Sequence, residues 1–383
     1  MIEGPRPVKP SEYPGLLRLV NRTFLGPAGG RGMESLYPWH LGLENRRNLW
    51  VLVEDGEVVA HVGVNKRAVS LHGARVPIVL VSSVCTDPRF RGQGLASRLI
   101  EFLKRRHERE GFDLYFISGN RDLYRRIGAA PVGRRMHYTL DPKALAPFGH
   151  PDVTVRPADG GDLKVIAALH AKEPVRLVRP DADFRRVFRA GWAGLNPARF
   201  FVSEVEGRVT GYFVAEVTRK LGNPSKPGRL VILEHAGSRT DLLAALHAAC
   251  LQFNKRRVEL SVSTQDRECL ALLSGRHLGE RRVPVYDSLA ILNLPRLLRR
   301  LKPLLIKRAG PAGRKLSGDE RNLKLELAVG GQRIACPPET MLKLLFGEPH
   351  RDRPHGLHGA GLLGRVLKAA FPLPMASPGI SYV

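Results

Sequence analysis

"VSSVCTDPRFRGQGLASRL", residues 81–99, decides how the chain is read. Its first half is apolar and β-branched, which suits a buried strand. Its second half opens an amphipathic helix over 93–109, with Leu95, Leu99, Phe102 and Leu103 on one face. Between the two lies a turn holding Arg89, Arg91, Gly92 and Gly94. Glycines there remove Cβ atoms where the backbone bends, so successive N–H groups can converge on one point. The helix N-terminus adds partial positive charge. Together these features make an anion site suited to a phosphate or pyrophosphate, with Arg89 and Arg91 adding charge. The turn is not a Walker loop, because GxxxxGK[ST] is absent. It is not a dinucleotide fingerprint either, because Ser97 stands where G-x-G-x-x-G needs its third glycine.

Upstream, "NLWVLVEDGEVVAHVGVNKRAVSLHGARVPIVLVSSVCT" (48–86) reads as strand, with hairpin turns at Asp55-Gly56 and His72-Gly73. Hairpins at this point disfavour a parallel nucleotide fold. "SEYPGLLRLVNRTF" (11–24) is helical, with Ser11 as its cap, and the glycine-rich stretch 25–41 reads as a mobile loop. Trp39 and His40 follow it, fit either for an acceptor wall or for ordinary packing. Downstream come a strand (112–118) and a short helix (120–128) stopped by Gly128.

A proline-bearing linker (140–153) follows, and then the order repeats. A helix (162–171), a hairpin (199–218), a strand (228–237), a helix (240–256), a strand (258–264) and a helix (267–279) follow in turn. From about residue 295 the text changes to a basic helix (293–305), an alternating strand (322–329), two helices (337–347 and 361–371) and an extended tail. The expected domains are 1–145, 146–294 and 295–383.

Composition bounds the function. At 383 residues the chain exceeds one ordinary core, and 43% hydrophobic with 25% charged residues describes a globular protein. No run approaches the roughly 20 apolar residues that span a bilayer, and the first residues lack a signal-peptide core, so a cytoplasmic location is expected. Cys85, Cys250, Cys269 and Cys336 are too scattered for a disulfide framework or a zinc site and read as buried free thiols. His350, His355 and His358 lie among glycines and proline with no carboxylate fixed beside them, so no metal is expected. Sixty-one Lys and Arg against 36 Asp and Glu give +25, which attracts polyanions such as nucleic acid, acidic lipid or a phosphorylated cofactor. The basic residues are dispersed over helices, however, and no nucleic-acid-binding pattern appears.

"RFRGQGLA" (89–96), following a strand and opening a helix, resembles the R/Q-x-x-G-x-G/A motif of the GNAT acyl-CoA-dependent N-acyltransferases. "NRDLYRRIGAAPVG" (120–133) resembles that superfamily's asparagine–tyrosine–glycine helix. The resemblance implies an α+β fold of two tandem GNAT-like domains with mixed, mostly antiparallel sheets. It implies that Gly92, Gln93, Gly94, Leu95, Ala96 and Ser97 wrap the pyrophosphate of coenzyme A beside Arg89 and Arg91. Val84 and Thr86 would pair with the pantetheine arm, and the N–H of Val84 or Cys85 would polarise the thioester carbonyl. Asn120 would touch the cofactor, and Tyr124 would protonate the departing thiolate. A tyrosine of ordinary pKa near ~10 suits that last step.

Two such domains with a small third unit resemble the enhanced-intracellular-survival type acetyltransferases, whose last domain is sterol-carrier-like. That group uses its C-terminal carboxylate as general base, which implies Val383 here; Glu54 is a reserve candidate. The second copy carries "HAGSRTDLLAALHA" in place of the glycine motif and has no matching tyrosine, so it reads as unable to hold coenzyme A in the usual way. The implied reaction is acetyl transfer from acetyl-CoA to a primary amine on a small molecule or protein, by a chain that could form homo-oligomers. The alternatives are a non-catalytic polyanion- or nucleic-acid-binding protein on the same scaffold, or a transferase of long acyl or aminoacyl groups.

Overall fold

Asp55-Gly56 and His72-Gly73 all take left-handed backbone, with φ of 49° and 80° at the first turn and 50° and 91° at the second. Two-residue turns of this hand match the twist of the strands they join. They link Leu49–Glu54, Glu57–Leu71 and Ala74–Thr86 into one antiparallel ladder. The computed structural model describes residues 1–26, 31–218, 228–285, 288–321, 324–347 and 361–381.

That ladder is the centre of a seven-stranded sheet. Glu3–Pro7 adds to one edge, and Leu114–Ile117 pairs parallel with Ala74–Thr86 on the other. Val175–Val178 joins the far end of Glu57–Leu71. Helix Leu95–Arg109 buries Leu95, Leu99, Ile100 and Leu103 on one face, and helix Tyr13–Phe24 buries Leu16, Leu19 and Val20 on the other. Ser11 is not a cap. It lies within the 3-10 turn Pro10–Glu12, and the Glu12 carboxylate instead accepts from the Lys9 N–H and the Arg6 guanidinium.

Residues 33–41, expected as loop, form the one-turn helices Met33–Leu36 and Pro38–Leu41. Met33, Leu36, Trp39, His40 and Leu41 are all buried there. Their apolar spacing outweighs the glycines before them, because the sheet supplies a surface to pack on.

The second sheet also has seven strands. In order they are Gly279–Pro284, Arg134–Leu140, Arg257–Ser263, Arg229–Gly237, Arg208–Thr218, Arg199–Val205 and Val153–Pro157. The two sheets trade strands. Arg134–Leu140 follows the first sheet in sequence but pairs in the second, while Ser288–Ile291 returns to pair antiparallel with Leu114–Ile117.

The last unit holds helix Leu294–Lys315, broken at Gly310, then the three-stranded sheet Ser317–Arg321, Lys324–Val329 and Gln332–Cys336. Helices Pro338–Phe346 and Leu362–Ala370 cover that unit. One apolar cluster runs from Ile78 and Leu80 through Tyr212 and Val214 to Leu342 and Leu367, so the three units share a core. The fold is α+β. All four cysteines are buried and unpaired. Among the described residues no helix is long and apolar enough to cross a membrane, and no cluster of three His, Cys, Asp or Glu side chains could hold a metal ion. His350, His355 and His358 lie outside the described residues.

Candidate active site

Strand Ala74–Thr86 runs parallel to Leu114–Ile117 only as far as Val81 opposite Ile117, after which the Ser118 N–H reaches the Val81 carbonyl at 3.0 Å. Beyond that point the strands part, and among the described residues no strand pairs with 82–86 on this side. On the other side a bulge intervenes: between the pairs His61–Cys85 and Gly63–Ser82, both Ser83 and Val84 face Val62. Ser83 takes a φ of 49°, a left-handed conformation rare for serine, and the bulge re-aims the backbone of Val84.

A buried chain of hydrogen bonds pins this bulge. His40 Nε2 and His61 Nε2 each lie 3.1 Å from Ser83 Oγ. His61 Nδ1 lies 3.0 Å from the Trp50 carbonyl, and Asn65 Nδ2 lies 2.6 Å from His40 Nδ1. The carbonyl can only accept and the amide nitrogen can only donate, so the directions follow. Asn65 donates to His40, His40 to Ser83, Ser83 to His61, and His61 to Trp50. Every site is used with both imidazoles neutral. Burial pushes His61 down to about 4, and burial with the charges of His61 and Arg67 pushes His40 down to about 3.

Both histidines therefore bind protons in the unfolded chain, below pH ~6.5, before they do so in the folded one. Stability falls as pH drops from there toward 4, by about 1.4 kcal/mol per pH unit for each histidine. In urea unfolding across pH 4–6.5, His61→Gln should flatten the slope by one such increment. An unchanged slope would show that His61 is charged in the fold.

The turn after Thr86 is built on Asp87. Its buried carboxylate accepts from the Arg89 N–H at 3.0 Å, from the Arg89 side chain, and from Arg22 at 2.7 Å. The Arg89 guanidinium, followed by opposing burial, holds the Asp87 carboxyl well below the usual carboxylate range. Arg89 also bonds Glu57 at 2.8 Å. Arg91, Gly92, Gln93 and Gly94 are exposed, and the glycines have φ of 80° and 73°. An added Cβ at either would meet open space, so backbone conformation, not room, demands glycine.

Gly94 starts helix Leu95–Arg109, whose first intrahelical bond is Arg98 N–H to the Gly94 carbonyl. Among the described residues, the N–H groups of Gly92 to Ser97 make no hydrogen bond to the chain. That is the donor set a diphosphate requires.

Tyr124 stands on the one-turn helix Asp122–Arg125 and packs with Val84 and Leu95. Its side chain is 1% exposed, and its hydroxyl has no hydrogen-bond partner among the described residues. Burial pushes its pKa up, against the pull of Arg121. Arg121 lies 6.0 Å over the Tyr124 ring and donates to the Val84 carbonyl at 3.4 Å. Asn120 is exposed in the turn just before, where Ser288 Oγ of the returning strand bonds the Gly119 carbonyl at 2.9 Å.

Val84, Arg121 and Tyr124 are thus brought together at the parting of the strands, and Gly92 to Ser97 follow on the same strand's exit. Cys85 is buried on the opposite face, its thiol pushed up to about 12 by burial. Glu54 sits at the outer hairpin, 3.8 Å from the N-terminal amine of Met1. Trp39 and His40 are packed within the fold. Val383 lies outside the described residues.

The second sheet parts in the same manner, after Val231 opposite Glu259. Here the opening is filled. Ser238 caps helix Arg239–Gln252, and Arg239 bonds Glu173 at 2.6 Å and Asp266 at 2.8 Å. The Gly237 N–H is taken by Glu173. Only about 110 Å³ remains, partly lined by Met375 and Ser377 of the C-terminal segment. That segment then meets a buried pair: Arg179 bonds both Glu234 oxygens, at 2.9 and 2.8 Å, and donates to Ser381 Oγ at 2.8 Å. The Ile380 N–H donates to Glu234 at 3.1 Å. Burial pushes the Glu234 carboxyl up, and Arg179 more than offsets this, so it stays ionised.

Residues 4–132 match the family model described as acetyltransferase (GNAT) domain. No curated protein matches the chain by sequence. Among solved structures, a GCN5-related N-acetyltransferase from Kribbella flavida is similar at 18% identity and a TM-score of 0.67, covering 98% of both chains. Another from Anabaena variabilis is 13% identical with a TM-score of 0.66, over 99% of this chain and 98% of that one. Eis1 from Mycobacterium abscessus is 12% identical with a TM-score of 0.65, over 98% of this chain and 99% of that one. Residues 4–132 therefore match an acetyltransferase (GNAT) domain, and the chain as a whole has the fold of these solved structures.

Proposed function

We propose that the protein transfers an acetyl group from acetyl-CoA to a primary amine, with Tyr124 as general acid. The observation that carries this reading is the Tyr124 hydroxyl, buried in the apolar cluster that also holds Val84 and without a hydrogen-bond partner among the described residues. A buried hydroxyl without a partner is costly unless a ligand completes it. In this reading the N–H groups of Gly92 to Ser97 hold the diphosphate, with Arg89, Arg91 and Asn120 around it. The edge of Val84 and Thr86 receives the pantetheine arm. The N–H of Val84 or Cys85 stabilises charge on the carbonyl oxygen as the amine attacks. The carbon–sulfur bond breaks, and Tyr124 gives its proton to sulfur.

Saturating acetyl-CoA should raise the melting temperature by several degrees, since a ligand at 100 times its Kd stabilises by about 2.7 kcal/mol. Thiol release should then depend on an added amine. The absence of both a melting shift and amine-dependent release at saturating donor would refute the reading.

The likeness to Eis1 and the filled second opening favour the enhanced-intracellular-survival type, with one working acyl-CoA site and a small sterol-carrier-like last domain. The proposed base is the carboxylate of Val383. Its support is the anchoring of Ser381 by Arg179, the residue after Val178, which pairs opposite Ala68. Ending the chain at Gly379 should lower kcat by about 10²–10⁴ and leave the KM for acetyl-CoA unchanged. Full turnover in that variant would assign the base elsewhere.

A further inference from the structure

At the far end of strand Ala74–Thr86 from the glycine turn, about 40 Å away at strand rise, the three units meet around a second cavity. It holds about 780 Å³, enough for a ligand of several hundred daltons. Its walls have two characters. Leu304, Phe346, Phe371 and Leu373 give an apolar side. Arg134, Arg267, Arg282, Lys307 and Arg308, with His72, give a cationic one, and no Asp or Glu is among the described lining residues; Arg134 and Arg282 each have partners of their own.

Elsewhere the chain answers many of its arginines with carboxylates, as at Arg156, Arg179 and Arg239. Here Arg267 and Lys307 make no hydrogen bond or ion pair among the described residues. Arg308 is fixed in place by the carbonyls of Ala370 and Pro372 and by Gln265 Oε1 at 3.0 Å. Burial, and then the charge of Arg267, pushes the Arg308 guanidinium below its ordinary value; burial, Arg308 and Lys307 do the same to His72. Arg267, Lys307 and Arg308 therefore repel one another, with no carboxylate paired to them among the described residues.

We propose that this cavity binds a phosphate-headed amphiphile, the phosphate among the guanidinium groups and an alkyl chain along the Leu304–Phe371 wall. Planar guanidiniums suit phosphate oxygens, and several of them suit a dianion better than a carboxylate. A polynucleotide would instead track an open basic stripe, with no use for an apolar wall. The site is separate from the glycine turn, so ligand here need not compete with acyl-CoA.

Isothermal titration of the full chain with decyl phosphate below its micellar concentration, inorganic phosphate and decanol tests this. Decyl phosphate should bind one to one, at least tenfold tighter than either of the others. Arg267→Glu with Lys307→Glu removes no hydrogen bond and should weaken it at least tenfold. The acetyl-CoA melting shift should be unchanged. Lys307→Gln alone should weaken it severalfold, which keeps the test informative if the double variant folds poorly. Arg185→Glu with Arg189→Glu, an equal charge change on the exposed side of helix Asp181–Ala190, should have no such effect. Binding of decyl phosphate no tighter than inorganic phosphate would overturn the proposal. So would equal losses in the two double variants, or displacement of decyl phosphate by a short oligonucleotide.

Discussion

Replacing Tyr124 by Phe should lower kcat by about 10²–10⁴ while leaving the KM for acetyl-CoA and the melting temperature close to those of the parent. The substitution deletes one oxygen. That oxygen has no hydrogen-bond partner among the described residues, so its removal strands no donor or acceptor there, and the ring stays in the apolar cluster with Val84 and Leu95. An interaction with sulfur that forms only as the carbon–sulfur bond breaks affects kcat and not ground-state binding.

Burial raises the Tyr124 pKa above its ordinary value, so the proton is present throughout the neutral range. The parent's kcat should therefore show no alkaline fall from this group until above pH ~10. A Phe variant that retains kcat within threefold would remove Tyr124 from the chemistry. A variant that loses melting temperature and kcat together would mark it as a packing residue. Stopped-flow thiol release with a thermal melt separates the three outcomes.

Much of the first sheet is legible in sequence because local chemistry dictates it. Asp55-Gly56 and His72-Gly73 can satisfy paired left-handed turns, and the residues between them alternate or are uniformly apolar. Gly92 and Gly94 similarly signal backbone that no other residue adopts cheaply. What is illegible is non-local. Ser83 meets His61 and His40 across 22 and 43 residues, through a bulge whose left-handed residue is not a glycine. Arg179 meets Ser381 across 202 residues. Asp87, the brace of the turn, reads in sequence as an ordinary acid before a proline. Strand Arg134–Leu140 begins with two arginines and shows only Tyr138 and Leu140 as buried alternation, too short a pattern to stand out.

Ending the chain after Leu145 should give a polypeptide that does not fold, although it retains every residue proposed to hold acetyl-CoA. The trade of strands explains why. Leu114–Ile117, with Tyr115 and Phe116 fully buried, would lose its neighbour Ser288–Ile291 and become an exposed apolar edge. Arg134–Leu140 would lose both of its partners. Ser288 would no longer hold the Gly119 carbonyl ahead of Tyr124. Asp113, 0% exposed, would lose Arg296, which bonds it at 2.6 Å from the third unit. Breaking such a buried pair costs about 3–5 kcal/mol, a large part of the ~5–15 kcal/mol that holds an ordinary domain together. Circular dichroism and size exclusion should show an unfolded or aggregated 1–145 fragment, whereas co-expression with 146–383 should restore a cooperative melt. A soluble 1–145 fragment with a cooperative transition and an acetyl-CoA shift would mean that the returning strand is dispensable, and the first unit would then be a domain in its own right.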